Sequence, residues 1–500
     1  MASGEYAFFL FTGHWPLITN HSSPFPTRPQ GSMINASTLL ESHKESPMSD
    51  VARLEAGLND FDPIIRRAAL AALIERHLPA APLCDSVNMH CHSFFSFNAF
   101  GWSPSRVLWD LFEEGIYAAG LCEFDVLDGL DEFLDTGMAL GMRTAVHVET
   151  RAFLDEFAEH DINSPGEPGV TYVMGAGFAR VPAPGSPQAV TLQKLRDHAQ
   201  DRNVALMDRI NPKLPDIAVD YARDVLPLTP AGAPTERHMV SAYLNRSHEA
   251  FPETGAWAAY WSPILGKPDA DLVALQDNRP ALEELVRAKL AKKGGIGYVQ
   301  PSRETFPPVE DFFAWVSSCG AIPMDTWLDG TSGGEARDRE LLECMRAKGA
   351  KAVNIVPDRN WNLKDPADRA RKQAELEKFS KLADSFDMPI NIGTEMNKLG
   401  QPMYDDLDGV ALAPFKQSWR RGAQIMVGHT IALRYADFSY ASETADAHFG
   451  NDVKKKNAWF AAVGALPPLT TDVGEELANE GAERAFVKLN DSIAQDGWMV

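Results

Sequence analysis

Short apolar runs that end in polar residues recur along this chain, and most lead into a stretch with helical spacing. SVNMHCH (86–92) precedes SPSRVLWDLFEEGI (103–116), YAAGLCEFD (117–125) precedes VLDGLDEFLDTGMAL (126–140), and RTAVHVETRAF covers 143–153. Further on come CGAIPMDTWLDG (319–330), KAVNIVPDRN (351–360), MPINIGTEMNK (388–398) and QIMVGHT (424–430), with amphipathic stretches after the first two. Strand and helix periods that alternate in this way predict a parallel sheet with crossover helices. Seven or eight such units over about 380 residues predict an α/β fold, a distorted (β/α)7–8 barrel, in which functional residues stand at the C-terminal ends of strands.

The rhythm is framed and interrupted. Residues 1–48 are rich in Ser, Pro, Thr and His and read as a disordered or extended tail; the apolar run Tyr6–Phe11 lacks the basic flank and length of a secretory signal. Residues 49–80 read as a helical extension, with Val51, Leu54, Leu58, Ile64, Ile65, Ala68, Leu70 and Leu73 at helical spacing and a break at Asp62-Pro63. The barrel is expected over 81–466, with an insertion at 155–290 marked by SPGEPG, VPAPGSP, LPLTPAGAP and the aromatic TGAWAAYWSPILG. That insertion is expected to lie over the barrel mouth as a lid. Residues 467–500 form a C-terminal tail or helix. GGIGY (294–298) lacks the spacing and the following Lys-Ser/Thr of a phosphate loop and reads as a turn.

Composition narrows the chemistry. With 45% apolar and 23% charged residues the chain is globular, and its formal charge of −22 argues against a nucleic acid polymer or an anionic membrane as partner. A small anionic substrate in a local basic pocket remains compatible, as does a homo-oligomer. Five cysteines without a CxxC pair fit a reducing, cytoplasmic setting, and no apolar run is long enough to predict a membrane span.

His90 and His92 are two apart, so on a strand both imidazoles face one spot. Glu123, Asp125, Glu149, Asp325, Asp358, Glu395 and His429 also close apolar runs. Acids at such positions are usually solvated or cap helices. Glu123, Glu149 and Glu395 sit directly against apolar residues, where an ionised carboxylate needs a cation. Several acids with two or three histidines make a divalent site: Mn²⁺ or Mg²⁺ suits that set, and Zn²⁺ gains as histidines are added. His238 is a further ligand candidate, equally readable as a buried structural histidine. Arg237, Arg359 and Lys398 could hold a phosphate or carboxylate.

The order of these pieces resembles the polymerase and histidinol phosphatase (PHP) superfamily of metal-dependent phosphoesterases. NMHCHSFFSFNAFGWSPSRVLWDLFEEGI is similar to its opening strand and Ser-Pro-initiated helix, and RTAVHVETRAF to its Gly-x-Glu strand with a bridging carboxylate. The resemblance spans roughly residues 85–430. The chain departs from it at Glu123-Phe124, where Asp-His is usual, at Met324-Asp325-Thr326 in place of Ala-His-Pro, and at Glu395-Met396-Asn397 in place of Asp-x-His. Asp446-Ala447-His448, in a helical context, is an alternative closing motif. The resemblance thus implies a divergent, oxygen-rich centre with one or two ions, where the family has three.

The leading expectation is a metal-dependent hydrolase, most readily a phosphoesterase. His90, His92 and Glu149 would hold the ion with Glu123, His238, Asp325, Glu395 or His429, and Asp125 or Asp325 would shuttle a proton. Two alternatives stand beside it. One is a metal-dependent isomerase, epimerase or lyase on a sugar or sugar acid, with Asn354, Asn397, Trp327 and Trp361 suited to such a ligand. The other is a degenerate barrel that serves as a binding module.

Overall fold

The strand ends singled out above meet because their strands are neighbours in one sheet. The computed structural model describes residues 49–77 and 80–499; the tail read at 1–48 lies outside the described residues. The sheet runs in chain order: β1 (Val87–Cys91), β2 (Ala118–Phe124), β3 (Arg143–Phe153), β4 (Val170–Ala176), β5 (Ile322–Trp327), β6 (Ala352–Ile355) and β7 (Ile390–Ile392). Neighbours are parallel except at β4, which is antiparallel to both β3 and β5. A parallel bridge between Cys91 and Glu395 brings the last edge back to the first, so the sheet is a nearly closed, seven-stranded barrel.

Helices cover the outside in the order α1 (Asp50–Gly57), α2 (Pro63–Glu75), α3 (Pro104–Glu113), α4 (Leu130–Leu140), α5 (Pro187–Ile210), α6 (Glu236–Ala250), α7 (Thr254–Leu265), α8 (Asp269–Leu275), α9 (Arg279–Leu290), α10 (Val309–Ser318), α11 (Asp338–Ala347), α12 (Asp358–Trp361), α13 (Pro366–Ser385), α14 (Lys416–Ala436), α15 (Glu443–His448), α16 (Val453–Ala465), α17 (Thr471–Glu480) and α18 (Ala482–Gln495). Their starts follow the local sequence. Ser103 Oγ accepts from Arg106 N ahead of α3, with Pro104 in the first turn where no N–H is needed.

β4 lies within the segment read as an insertion, so the helical excursion begins only after it. Helices α5 to α9 gather an apolar cluster of their own around Ile210, Tyr243, Trp257, Trp261 and Val286. None of the helices among the described residues is long and apolar enough to cross a membrane.

QIMVGHT is not a strand. It is the centre of α14, which is buried on nearly all sides from Gly422 to Ala432. An apolar run inside a fully buried helix has no polar face to reveal its period, and this is why the sequence reads it as a strand. α14 and α16 pass under the N-terminal ends of the strands. Gly422 lies against Ile390 at the start of β7, and Arg143 at the start of β3 donates to the carbonyls of Gly464, Ala465 and Leu466.

Strand register divides the residues between the two faces. Cys122, His147 and Ala176 share the inner face with Phe124, Glu149, Met174 and Met324, and with Thr326, Asn354 and Asn391. Glu123, Val148, Gly175 and the row Thr150, Val173, Asp325, Val353 point the other way. Gly175 marks that face as the helix side, since a Cβ there would lie 2.6 Å from a Val316 methyl of α10.

The crossing of α14 and α16 is built on glycine. A Cβ on Gly428 would sit 1.9 Å from the Phe460 carbonyl oxygen, and one on Gly464 would sit 1.9 Å from that of Gln424. Backbone cannot yield as a side chain can, so Gly428→Ala should destabilise the chain by about 1–3 kcal/mol or more in urea unfolding. Gly255→Ala, with open space around it, should change stability by less.

Candidate metal centre

β1 and β3 place the central groups. His90 lies on β1 beside a register irregularity between Asn88 and Cys91, His92 follows the strand end, and Glu149 stands on the inner face of β3. His90 Nε2 is 3.4 Å and His92 Nε2 is 3.6 Å from the same atom, Glu149 Oε2. All three side chains are buried, and none of these atoms has a hydrogen-bond partner. One ligand atom from each lies within 4.8 Å of the others. Two donors at about 2.0–2.1 Å from one ion at a tetrahedral angle stand about 3.3 Å apart. The three atoms therefore fit a divalent ion between them.

Outer contacts orient the His92 ring. Asn354, on the same inner face, has its Oδ1 bonded to Asn391 Nδ2 at 2.9 Å; Asn391 Nδ2 also donates to the Met89 carbonyl at 3.0 Å. His92 Nδ1 is 3.4 Å from Ser96 Oγ, and its ring stacks on Phe124 at 4.5 Å between centroids. Such partners hold a ligating imidazole in one tautomer and orientation. Burial, with His90 alongside, pulls His92 down to about 3, so it is a neutral donor. Burial acts the same way on His90, but Glu149 and Glu395 outweigh it and raise its pKa. Burial raises Glu149 against the opposing pull of His90.

Glu395 borders this group without joining it. Its carboxylate accepts from Arg359 Nη2 at 2.8 and 3.1 Å, and Arg359 extends from α12 after β6. Burial disfavours its charge, but Arg359 and the two histidines prevail and hold the carboxyl well below its ordinary value. Glu395 and Met396 both take positive φ, 63° and 58°, a left-handed backbone that non-glycine residues rarely adopt.

The other candidates go elsewhere. Glu123 is on the helix-facing side of β2, and its carboxylate accepts from Ser93 N, Ser93 Oγ and Ser96 Oγ. It reaches His92 only through Ser96. Asp325 also faces the helix layer, with both oxygens buried and unpartnered and its carboxyl raised by burial and by Glu335. Asp125 accepts from Thr150 Oγ1 at 2.6 Å and lies 3.7 Å from Arg202. His238 is in α6 and not on a fourth strand; its Nδ1 accepts from Thr235 N at 3.0 Å as part of a helix cap. His429, in α14, accepts from Tyr440 N at 3.1 Å through Nδ1. Arg237 pairs with Glu284 at 2.5 Å and lies over Phe97. Asn397 is half-buried and Lys398 exposed on the loop after Glu395.

Sequence reasoning passed over His147, which is buried on the inner face and accepts from Gly177 N at 3.2 Å. Its spacing of two from Glu149 was the available signal. It also passed over Arg151 and Tyr172, paired across β3 and β4 one inner-face step beyond Glu149.

No protein-family model matches the sequence, and neither does any curated protein. Among solved structures, the chain is similar to an amidohydrolase from Chromobacterium violaceum, with 16% identity over 64% of this chain and 91% of that one at a TM-score of 0.43. A protein from Bifidobacterium adolescentis described as a metal-dependent phosphoesterase is similar at 17% identity, over 64% and 91% of the two chains, with a TM-score of 0.40.

Glu123 allows a test by pH. Burial pushes its carboxyl up to about 8 despite the Ser93 and Ser96 hydrogen bonds, so the folded chain keeps this proton where the unfolded chain has released it. Stability from this group is complete below the ordinary carboxylate range and falls as pH rises through about 8. Glu123→Gln should flatten the decline in urea-unfolding stability between about pH 5 and 8. An equally steep decline in the variant would show that another group causes it.

Proposed function

We propose that the chain is a divalent-metal-dependent hydrolase that acts on a small anionic substrate, with a phosphoester the best-supported class. The observation that carries this reading is the convergence of His90 Nε2, His92 Nε2 and Glu149 Oε2, buried and without other partners. Three protein donors leave open positions on an ion, the pattern of catalytic rather than structural sites. Mn²⁺ or Mg²⁺ suits the carboxylate, and the two imidazoles admit Zn²⁺.

A divalent ion held there would supply Lewis acidity, lowering the pKa of a water and polarising the scissile group. The chain's own residues do the rest. His90 is carried on β1, and the His92 ring lies 3.4 Å from Ser96 Oγ and stacks on Phe124, so the donors need not reorganise. Arg359, partly exposed beside the centre, offers donors to an anionic substrate group. Asp125 is bonded to Thr150 Oγ1 and Asp325 faces the helix layer, so neither stands at the centre, where the ionised Glu395 lies beside both histidines. The PHP-like order of motifs favours phosphoester over amide or lactone substrates.

The test is elemental analysis of protein purified without chelator, beside hydrolysis assays with Mn²⁺ on phosphomonoesters, amides and lactones. His90→Ala and Glu149→Ala should each lower metal content at least tenfold, and phosphomonoester turnover should fall in step. Full occupancy in the double variant would refute the centre, and turnover of amides alone would refute the substrate class.

A further inference from the structure

Glu395 is an expensive residue to place where it is. Its carboxylate is buried, and its backbone and that of Met396 are left-handed, a strained conformation that non-glycine residues rarely adopt. The main chain is pinned in that state, because Glu395 N donates to the His90 carbonyl at 2.8 Å and His92 N donates to the Glu395 carbonyl at 2.9 Å. These bonds tie the acid to the strand that bears both histidines. The backbone thus holds this carboxylate at the edge of the group formed by His90, His92 and Glu149. Yet it is not in the three-donor group; both oxygens accept from Arg359 Nη2, and Oε2 also accepts from Gln401 Nε2 at 3.5 Å.

Arg359 is held as firmly. It belongs to α12, anchored just after it by Asn360 Nδ2 to the Leu328 carbonyl at 2.7 Å and by Trp361 Nε1 to Asp405 Oδ1 at 2.8 Å. Only its Nη2 is bonded within the described residues; Nε and Nη1 make no hydrogen bond there, and the side chain is 42% exposed. The guanidinium thus stands between a buried carboxylate and the open side of the centre.

We propose that Arg359 takes the place of a second cation: it neutralises Glu395, withholds that carboxylate from ligation, and limits the centre to a single divalent ion. The inference rests on the metal-centre reading above and specifies it. Charge makes the arrangement self-consistent. Two carboxylates facing one divalent ion and one guanidinium leave a single positive charge for an anionic substrate; a second ion beside the guanidinium would leave three. Arginine stays protonated throughout the working pH range, so this cation cannot be lost to chelation or dilution.

Stoichiometry decides the matter. The full chain, stripped of metal and titrated with Mn²⁺, should saturate at one ion by equilibrium dialysis and show an uncoupled EPR spectrum. Arg359→Met frees Glu395 and should saturate at two, with the exchange-coupled signal of a Mn²⁺ pair. Arg359→Lys keeps the cation and should stay at one. Arg359→Met combined with Glu395→Gln should return to one, which separates release of a ligand from simple loss of a repelling charge. Thermal unfolding shows that each variant is folded. Wild type saturating at two coupled ions, or a folded Arg359→Met chain remaining at one, would overturn the proposal while leaving the metal centre intact. Wild type that takes up no ion would overturn both.

Discussion

A carboxylate oxygen in the lumen of a closed sheet has few ways to be satisfied. Backbone donors there are consumed by strand pairing. Glu149 Oε2 is in that situation, with two imidazole nitrogens as its nearest polar neighbours and no donor aimed at it. An unsatisfied buried polar group costs about 1–3 kcal/mol, and more when it is charged. The surrounding structure keeps this cost: β1 brings His90 Nε2 to 3.4 Å from Glu149, and Ser96 and Phe124 flank the His92 ring, whose Nε2 is 3.6 Å from the same oxygen. A folded chain that maintains such a group would gain stability from a cation bound to it.

The closure of the barrel and the construction of the centre are the same event. The hydrogen bonds that join the first and last strands run through His90, His92 and Glu395. The ligand strand, the seam of the sheet and the acid paired with Arg359 therefore cannot move independently. At the opposite end, α14 and α16 cover the strand starts through glycine contacts too close for a side chain, leaving the C-terminal end as the side where Arg359 is partly exposed.

Much of the centre could be read from local spacing. His90 and His92 lie two apart at the end of one strand, and Glu149 belongs to the inward row of another; both facts depend only on the alternation of strand side chains. The same rule explains the failures. Glu123 and Asp325 also sit in strands, but one residue out of phase with the inward row, and the phase is set by pairing with neighbours that sequence cannot align. His429 and His238 were misplaced for a different reason: buried helices carry apolar residues all round, or begin at a Pro-rich loop, and mimic strand ends.

The sequence by itself determined an α/β chain with repeated strands, a negative surface and a histidine pair fit for a divalent ion, because periodicity, charge and i, i+2 spacing are local properties. Only the tertiary structure decided that β4 runs against the others, that α14 replaces an eighth strand, and that Glu149 joins both histidines in one group while Glu395 is given to Arg359. Those outcomes depend on which distant segments become neighbours and in what register, and a side chain's partner is fixed by that register and not by the residues beside it in the chain.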